Sequence, residues 1–145
     1  MTLQSGRPFT VLSSSDRAAL NASNNPRADL VGNLALPDGR SRGARIDQYF
    51  NTSAVTQAAP GTFGTLGRNT LRGPGYANTD ISVARSFPLK FREGAKLTFR
   101  GEAFNLFNRP QLAVPNARVG VRAFGTITST DGDPRILQFG LKVDF

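Results

Sequence analysis

The sequence predicts an all-β fold, in the form of about four antiparallel strands from a transmembrane β-barrel with long irregular outer loops. Apolar and polar residues alternate along the chain after residue 77, which gives each strand one apolar and one polar face. Long and short connections follow one another in turn. The sequence also stops on an aromatic residue, Phe145, although most chain ends carry polar residues that fray into water.

The first strand is predicted near residues 1–10, and a long loop is predicted over residues 10–77. The loop sequence is rich in Ser, Asn, Gly, Pro and Arg, and stretches such as "LPDGRSRG" are typical of turns. The stretch "DRAALNA" would form one or two helical turns at most. Because compact domains rarely contain a loop of this length, we expect a functional loop or a piece of a longer chain.

Three further strands are predicted near residues 78–89, 96–107 and 135–145, where the apolar residues recur at every second position. Polar residues occupy most of the positions between them. The apolar faces carry, in chain order, Ile81, Val83, Phe87 and Leu89, then Leu97, Phe99, Gly101 and Ala103, then Leu137, Phe139, Leu141 and Val143.

The connections between these strands indicate a membrane barrel. A short turn over residues 90–95 would be periplasmic, and the long loops over residues 10–77 and 108–134 would face outward, where they could contact a ligand. A strand over residues 135–145 would be about 36 Å long at roughly 3.3 Å per residue. Tilted by about 45°, it would span about 25 Å, the height of the apolar band of such barrels.

This geometry assigns roles to individual side chains. Phe145 would lie at the periplasmic interface, where aromatic residues gather. Arg85 lies on an apolar face, where an Arg at mid-membrane costs about 2–4 kcal/mol, so either it snorkels to an interface or a bulge shifts the register. The residues expected to face lipid are Leu97, Phe99, Leu137, Phe139, Leu141 and Val143, and those expected to line the lumen are Arg100, Glu102 and Lys142.

Composition argues against an enzyme. The 145 residues contain no Cys and no His, which removes thiolate nucleophiles, disulfides, His metal ligands and the usual proton shuttle at neutral pH. We therefore predict no catalytic, cofactor-binding or metal-binding residues. The net charge of +8 favours anionic partners without choosing among them. An apolar run long enough for a transmembrane helix and the features of a signal peptide are both lacking.

Four short motifs have simple structural interpretations. The stretch "GTFGTLGRNTLRGPG" lacks the ending of a phosphate-binding loop, so Gly67, Gly73 and Gly75 are attributed to backbone freedom in a turn. The stretch "TDGDPR" lacks the Glu of a calcium loop and is interpreted as a turn. In "FNLFNRP", Phe104 and Phe107 beside Arg109 could stack on bases, but an outer aromatic girdle is the simpler prediction. The glycosylation motifs at Asn21 and Asn51 are taken as incidental.

The stretches "GRNTLRGPG" and "EAFNLFNRPQ", followed by the aromatic-ended "ILQFGLKVDF", resemble the C-terminal end of TonB-dependent outer-membrane receptors. The similarity is to the Oar-like type, which carries a carboxypeptidase regulatory-like domain and is abundant in acidobacteria. It implies a bacterial outer-membrane location, a barrel of about 22 strands around a plug, and transport energised by the TonB system. It also implies that Phe145 is the signal that the outer-membrane assembly machinery reads.

The expected partners follow from this resemblance: outer-membrane lipid, the rest of the barrel and its plug, the TonB system and the assembly machinery, but not nucleic acid. A signal peptide, TonB box and plug are missing from the sequence, so we expect the chain to be the tail of a longer receptor. The alternative is a soluble all-β binding module whose basic surface takes an anionic polymer. Alternating strands alone slightly favour this alternative, because soluble sandwiches and lipocalin-like barrels also contain them. The order of long and short loops and the aromatic terminus favour the membrane barrel.

Overall fold

The structure is a computed structural model that describes residues 1–15, 26–90 and 93–145. The chain forms two compact units. We call Met1–Gln4, Tyr76–Gln111 and Asp131–Phe145 the strand unit, and Ser5–Gly75 with Leu112–Thr130 the loop unit. The described residues form mostly strands with little helix, in agreement with the predicted all-β class.

The described elements are as follows. The strands are β1 (Thr2–Gln4), β2 (Pro8–Phe9), β3 (Leu12–Ser13), β4 (Asp29–Leu30), β5 (Val55–Thr56), β6 (Leu71–Arg72), β7 (Tyr76–Asn78), β8 (Ile81–Pro88), β9 (Lys96–Phe104), β10 (Arg118–Val119) and β11 (Ile136–Asp144). An α-helix, α1, spans Arg42–Asp47, and a 3₁₀ turn spans Thr52–Ala54.

The strand unit is built on a three-stranded antiparallel sheet in the order β11-β9-β8. Its register is continuous: Gly101 at the centre of β9 lies opposite Val83 on one side and Phe139 on the other. Strands β1 and β7 form a second antiparallel pair, in which Leu3 lies opposite Ala77. The three long strands fall within the ranges expected from the alternating pattern.

The ends of these strands have local causes. β9 ends at Phe104 because Asn105 has a φ of 48°, which turns the chain out of the extended conformation. At the short turn, the Leu89 amide donates to the Ala95 carbonyl at 2.8 Å, and Gly94 has a φ of 82°. Two residues of that turn, 91 and 92, lie outside the described residues.

The loop unit corrects the prediction of irregular loops over residues 10–77 and 108–134. Most of this chain packs around a hydrophobic core and forms short pairs: β2 with β6, β4 with β5, and β3 parallel to β10. The Phe50 ring lies 6.1 Å from Phe9 and 5.4 Å from Phe124, centroid to centroid. The core residues are Phe9, Val11, Ala28, Phe50, Val55, Leu66 and Val119.

Helix α1 is the α-helix of the loop unit. The Ser41 hydroxyl accepts a hydrogen bond from the Ala44 amide at 3.2 Å, which caps the start of the helix. At its other end, the Arg40 guanidinium donates to the carbonyls of Ala44 and Gln48. Among the described residues, no helix has the length and apolar character needed to cross a membrane. The predicted turns at "DRAALNA" and the motif at Asn21 lie outside the described residues.

The glycine-rich motif "GRNTLRGPG" pairs with the "GRPFT" stretch, since Phe9 lies opposite Leu71. Our attribution of Gly67, Gly73 and Gly75 to backbone freedom is wrong, because none of them has a positive φ. The residue with a positive φ is Asn69, at 57°. A Cβ on Gly67 would instead lie 2.8 Å from the Thr70 side chain, and one on Gly73 would lie 3.2 Å from the Val114 side chain. On the opposite stretch the chains pack more closely still, because a Cβ on Gly6 would overlap the Gly73 carbonyl.

This close approach predicts that Gly6→Ala destabilises the loop unit. The added methyl group meets backbone atoms that cannot rotate away, so we expect a loss of about 1–3 kcal/mol. The measurement is hydrogen exchange at the Phe9 and Leu71 amides, which should lose protection. Gly43→Ala is the control, because a Cβ there meets nothing within 4 Å and Ala favours helix α1. Equal protection in the two variants would contradict the packing argument.

Candidate membrane-spanning sheet

One face of the three-stranded sheet is apolar and exposed. The register brings together apolar side chains from all three strands, and Phe139 and Leu141 are 73% and 71% exposed. Water-soluble monomers rarely expose a continuous patch of this kind, so it marks a contact surface. We call it the apolar face; its members are Ile81, Val83, Phe87, Leu97, Phe99, Leu137, Phe139, Leu141 and Val143.

The centre of the apolar face is filled by aromatic rings that cover a glycine. Carbon atoms of the Phe139 and Phe99 rings lie 3.6 and 3.7 Å from where a Cβ of Gly101 would be. The two rings are stacked on each other, with centroids 6.2 Å apart and planes 22° apart. Such covering restores the contact area that a strand glycine lacks. The two rings therefore pack on each other and over Gly101 at the centre of the face, although they remain exposed to solvent in the isolated chain.

Arg85 lies on this apolar face, opposite Phe99. The pairing of β8 with β9 has no interruption there, so the bulge that we considered is excluded. The guanidinium carbon lies 5.1 Å from the centroid of the Phe87 ring, a cation–π geometry. Since Phe87 lies further toward the turn that joins β8 to β9, the charged group points along the strand toward that end of the sheet.

The opposite face of the sheet is polar and carries two ion pairs. Arg100 and Glu102 form an ion pair of 3.0 Å, and Lys142 pairs with Asp144 at 2.6 Å. The Ser82 hydroxyl donates to the Glu102 carboxylate at 3.3 Å. The three residues expected to line a lumen, Arg100, Glu102 and Lys142, thus share one face, which we call the polar face. Paired and partly exposed charges of this kind suit contact with water.

At the end of β9, Asn105 ties four chain segments together. Its side-chain amide donates to the carbonyls of Arg109 and Asp133, at 3.2 and 3.1 Å. Its side-chain oxygen accepts from the Arg109 amide at 2.9 Å, and its own backbone amide donates to Asp80 at 2.9 Å. Asn105 is only 6% exposed. The polar atoms of this buried side chain therefore all have hydrogen-bond partners.

Gln111 completes this junction from the other side. Its side-chain amide donates to the carbonyls of Ala77 and Arg109, and its side-chain oxygen accepts from the Ala77 amide at 3.1 Å. The motif "EAFNLFNRPQ" is thus a connector built from side-chain amides. The sequence analysis did not predict this role for either residue. The available signal was the pair of Asn residues, Asn105 and Asn108, because Asn is favoured where the chain turns with a positive φ. Both residues have a φ of 48°.

The remaining residues that the sequence analysis singled out do not form one site. Phe104 lies opposite Ile136 on the polar face, so our assignment of Phe104 to an aromatic girdle facing lipid is wrong. Phe107 is 74% exposed, as is Phe145. Across the described ranges, acidic side chains form no group of three that could hold a metal ion.

A cavity of about 430 Å³ opens on the polar face where β7, β9 and β11 end or begin. Two aromatic residues, four Asn or Gln residues and two Asp residues are among those that line it. Its lining residues are Tyr76, Asn78, Asp80, Phe104, Asn105, Gln111, Gly132, Asp133, Pro134, Ile136 and Gln138. Basic side chains do not line it.

Comparison with known protein families agrees with a sheet that has one apolar and one polar face. The family described as "Outer membrane beta barrel domain" matches residues 1–138, nearly the whole chain. No curated protein and no solved structure matches the chain. Membership of this family implies an outer-membrane location. The chain therefore belongs to the outer membrane beta barrel domain family.

Proposed function

We propose that this chain forms part of a TonB-dependent outer-membrane receptor of the Oar-like type. It contributes the strands that close a barrel of about 22 strands, together with outer loops. The receptor moves a bulky ligand inward with energy from the TonB system. The resemblance of "GRNTLRGPG" and "EAFNLFNRPQ" to that class supports this type within the barrel family.

The observation that carries the proposal is the division of one sheet into two opposite faces. The apolar face exposes Phe139 and Leu141, while the polar face carries the ion pair between Arg100 and Glu102. A barrel wall needs this division, because lipid covers its outside and water fills its inside. The chain acts by forming this wall, and its role is not enzymatic.

The edges of the sheet also suit a larger barrel. Within the described part of the chain, β8 and β11 each pair with a neighbour on one side only. Open edges bind other strands, and closure into a barrel is the arrangement that removes them. In the receptor, neighbouring strands of the parent barrel would occupy both edges. Phe145 would be the residue that the assembly machinery recognises.

Accessibility of single Cys residues in living cells tests the proposal. The chain has no Cys, so Arg100→Cys and Leu141→Cys each add one reactive site to it. We expect a water-soluble, membrane-impermeant maleimide to label Arg100→Cys, and to label it faster in energised cells than in cells lacking TonB. The reason is that energy transfer from TonB loosens the plug and widens access to the lumen.

Leu141→Cys is the matched control on the apolar face, and it should stay unlabelled in both kinds of cell because lipid covers it. Equal labelling of Arg100→Cys with and without TonB, in protein that reaches the outer membrane, would contradict TonB-dependent transport. Rapid labelling of Leu141→Cys would contradict the barrel wall itself. The two failures are therefore distinguishable.

A further inference from the structure

The cavity on the polar face, which we call the polar-face cavity, is lined by carboxylates and not by basic side chains. Asp80 and Asp133 both line it. The chain contains 18 Lys and Arg residues and has a net charge of +8, yet none of the described ones contributes to the lining. All the lining residues belong to the strand unit. Because a concave site attracts ions of the opposite sign, this cavity favours cations although the chain as a whole is basic.

The N–H donors of the polar-face cavity are mostly used within the chain. Four side-chain amides line it, and three of them donate to other groups of the protein. The Asn78 amide donates to the Asp80 carboxylate at 2.9 Å. The Asn105 side chain donates to two backbone carbonyls, and the Gln111 side chain does the same. A ligand that needs donors from the protein, such as a carboxylate or a phosphate, would therefore find few of them here.

Hydrogen-bond acceptors, by contrast, are left over. In the described part of the chain, the Asp133 carboxylate has no hydrogen bond or ion pair. The side-chain oxygen of Asn78 is buried, and it too lacks a partner among the described residues. Buried polar atoms of native proteins are nearly always hydrogen-bonded, so this acceptor indicates a donor from outside the chain. The complementary ligand group has donors and no acceptor, and an ammonium group offers three donors.

Part of the lining is apolar, which favours an organic cation over a metal ion. Tyr76, Phe104, Pro134 and Ile136 provide this part. Aromatic rings attract ammonium groups, and apolar side chains pack against hydrocarbon. Calcium and magnesium ions instead need several oxygen ligands, and the described acidic residues form no group of three that could supply them. The volume of about 430 Å³ lies within the range of about 300–1,000 Å³ that small-molecule sites occupy.

We propose that the polar-face cavity binds an organic amine. The ammonium group donates to the Asp133 carboxylate, and the hydrocarbon part packs on Phe104 and Ile136. Hydrogen bonds between charged groups are roughly twice as strong as those between neutral groups, so the charge of the ligand dominates its selection. This inference rests on the proposed function, because the polar face meets a transported ligand where it lines the lumen of a receptor. It names the chemical class of that ligand.

Isothermal titration calorimetry of the intact protein in non-ionic detergent tests the site, with hexamethylenediamine as the probe. We expect the diamine to bind. Hexamethylene glycol has the same length, with hydroxyl groups in place of the ammonium groups, and should bind about tenfold more weakly or less. Magnesium ion has the same charge without an apolar part, and it should not displace the diamine at equal concentration. No binding of the diamine, equal binding of the glycol, or displacement by magnesium would overturn the proposal.

Asp133 and Asp131 provide a matched pair of variants. Asp133→Asn removes a carboxylate from the cavity but keeps the backbone carbonyl that accepts from Asn105. We expect this variant to bind the diamine about tenfold more weakly. Asp131→Asn removes the same charge from a residue that does not line the cavity, and it should bind like the unmodified protein. An equal loss in the two variants would mean that net charge alone attracts the diamine, and the proposal would fail.

Gln138 allows the charge of the cavity to be changed in both directions. It lines the cavity from β11 and is exposed. We expect Gln138→Arg to weaken binding of the diamine and Gln138→Glu to strengthen it, each by about fivefold. A gain in affinity cannot come from misfolding, and equal binding by the two variants would refute the proposal. Binding in detergent needs no TonB, so labelling of Arg100→Cys tests the proposed function separately from each of these results.

Discussion

Replacement of Leu141 by Arg should destabilise the membrane-inserted protein by about 2–4 kcal/mol. Leu141 lies near the middle of β11 on the apolar face, where a charged group would have to enter hydrocarbon. Gln138→Arg places the same side chain on the polar face of the same strand, and we expect it to change stability by less than about 1 kcal/mol. Both variants place an Arg in the same strand. The difference between their stabilities therefore reports on which face of the sheet the Arg occupies.

The measurement is the free energy of unfolding in urea, with the protein reconstituted in lipid vesicles. The soluble binding module that the sequence left open predicts another result. Leu141 is 71% exposed, and in water a change from an exposed Leu to Arg alters stability by only about 0.5 kcal/mol. Similar stabilities for Leu141→Arg and Gln138→Arg would therefore favour the soluble alternative and contradict a lipid-covered face.

Asn105→Ala should cost roughly 2–5 kcal/mol. The change leaves the Arg109 amide and the Asp133 carbonyl without their side-chain partner, and each part-buried hydrogen bond contributes about 0.5–1.5 kcal/mol. It also puts an Ala at a φ of 48°, which adds about 1–2 kcal/mol. We expect a lower urea midpoint, and increased proteolysis where the chain leaves β9.

Two further variants separate these causes. Asn105→Gly tolerates the positive φ but still lacks the hydrogen bonds, so it should recover only the conformational part of the loss. Asn108→Ala has the same φ but loses a single exposed hydrogen bond, to the Arg135 amide, and should cost less than Asn105→Ala. If Asn105→Ala and Asn108→Ala are equally stable, the buried hydrogen bonds contribute little.

The faces of the long strands could be predicted from sequence because a strand places alternate side chains on opposite sides. Leu137, Phe139 and Leu141 were expected on one face, and the register groups them there with residues of β9. That lipid covers this face, and that Arg100 and Lys142 line a lumen, stay predictions. The family match confirms the outer-membrane barrel and leaves the TonB-dependent type as our proposal.

The loop unit could not be predicted because its core uses isolated apolar residues. Phe50 and Leu66 are 2% and 0% exposed, yet both lie in stretches with no apolar period. The junction at Asn105 could not be predicted for a related reason. Its partners Asp80 and Asp133 lie 25 and 28 positions away in the chain, and hydrogen bonds over such separations leave no local pattern.

Arg85 affects the depth at which the barrel wall would lie in the bilayer. The register places Arg85, Phe99 and Leu141 in one row across the sheet. In the barrel that we propose, the Arg85 guanidinium would therefore reach headgroups only by extending past Phe87 toward the turn end of β8. Any displacement of the wall outward would pull this cation into the hydrocarbon, with a rising energy penalty. A single charged group on an otherwise apolar surface would thus hold the barrel wall at one depth in the bilayer.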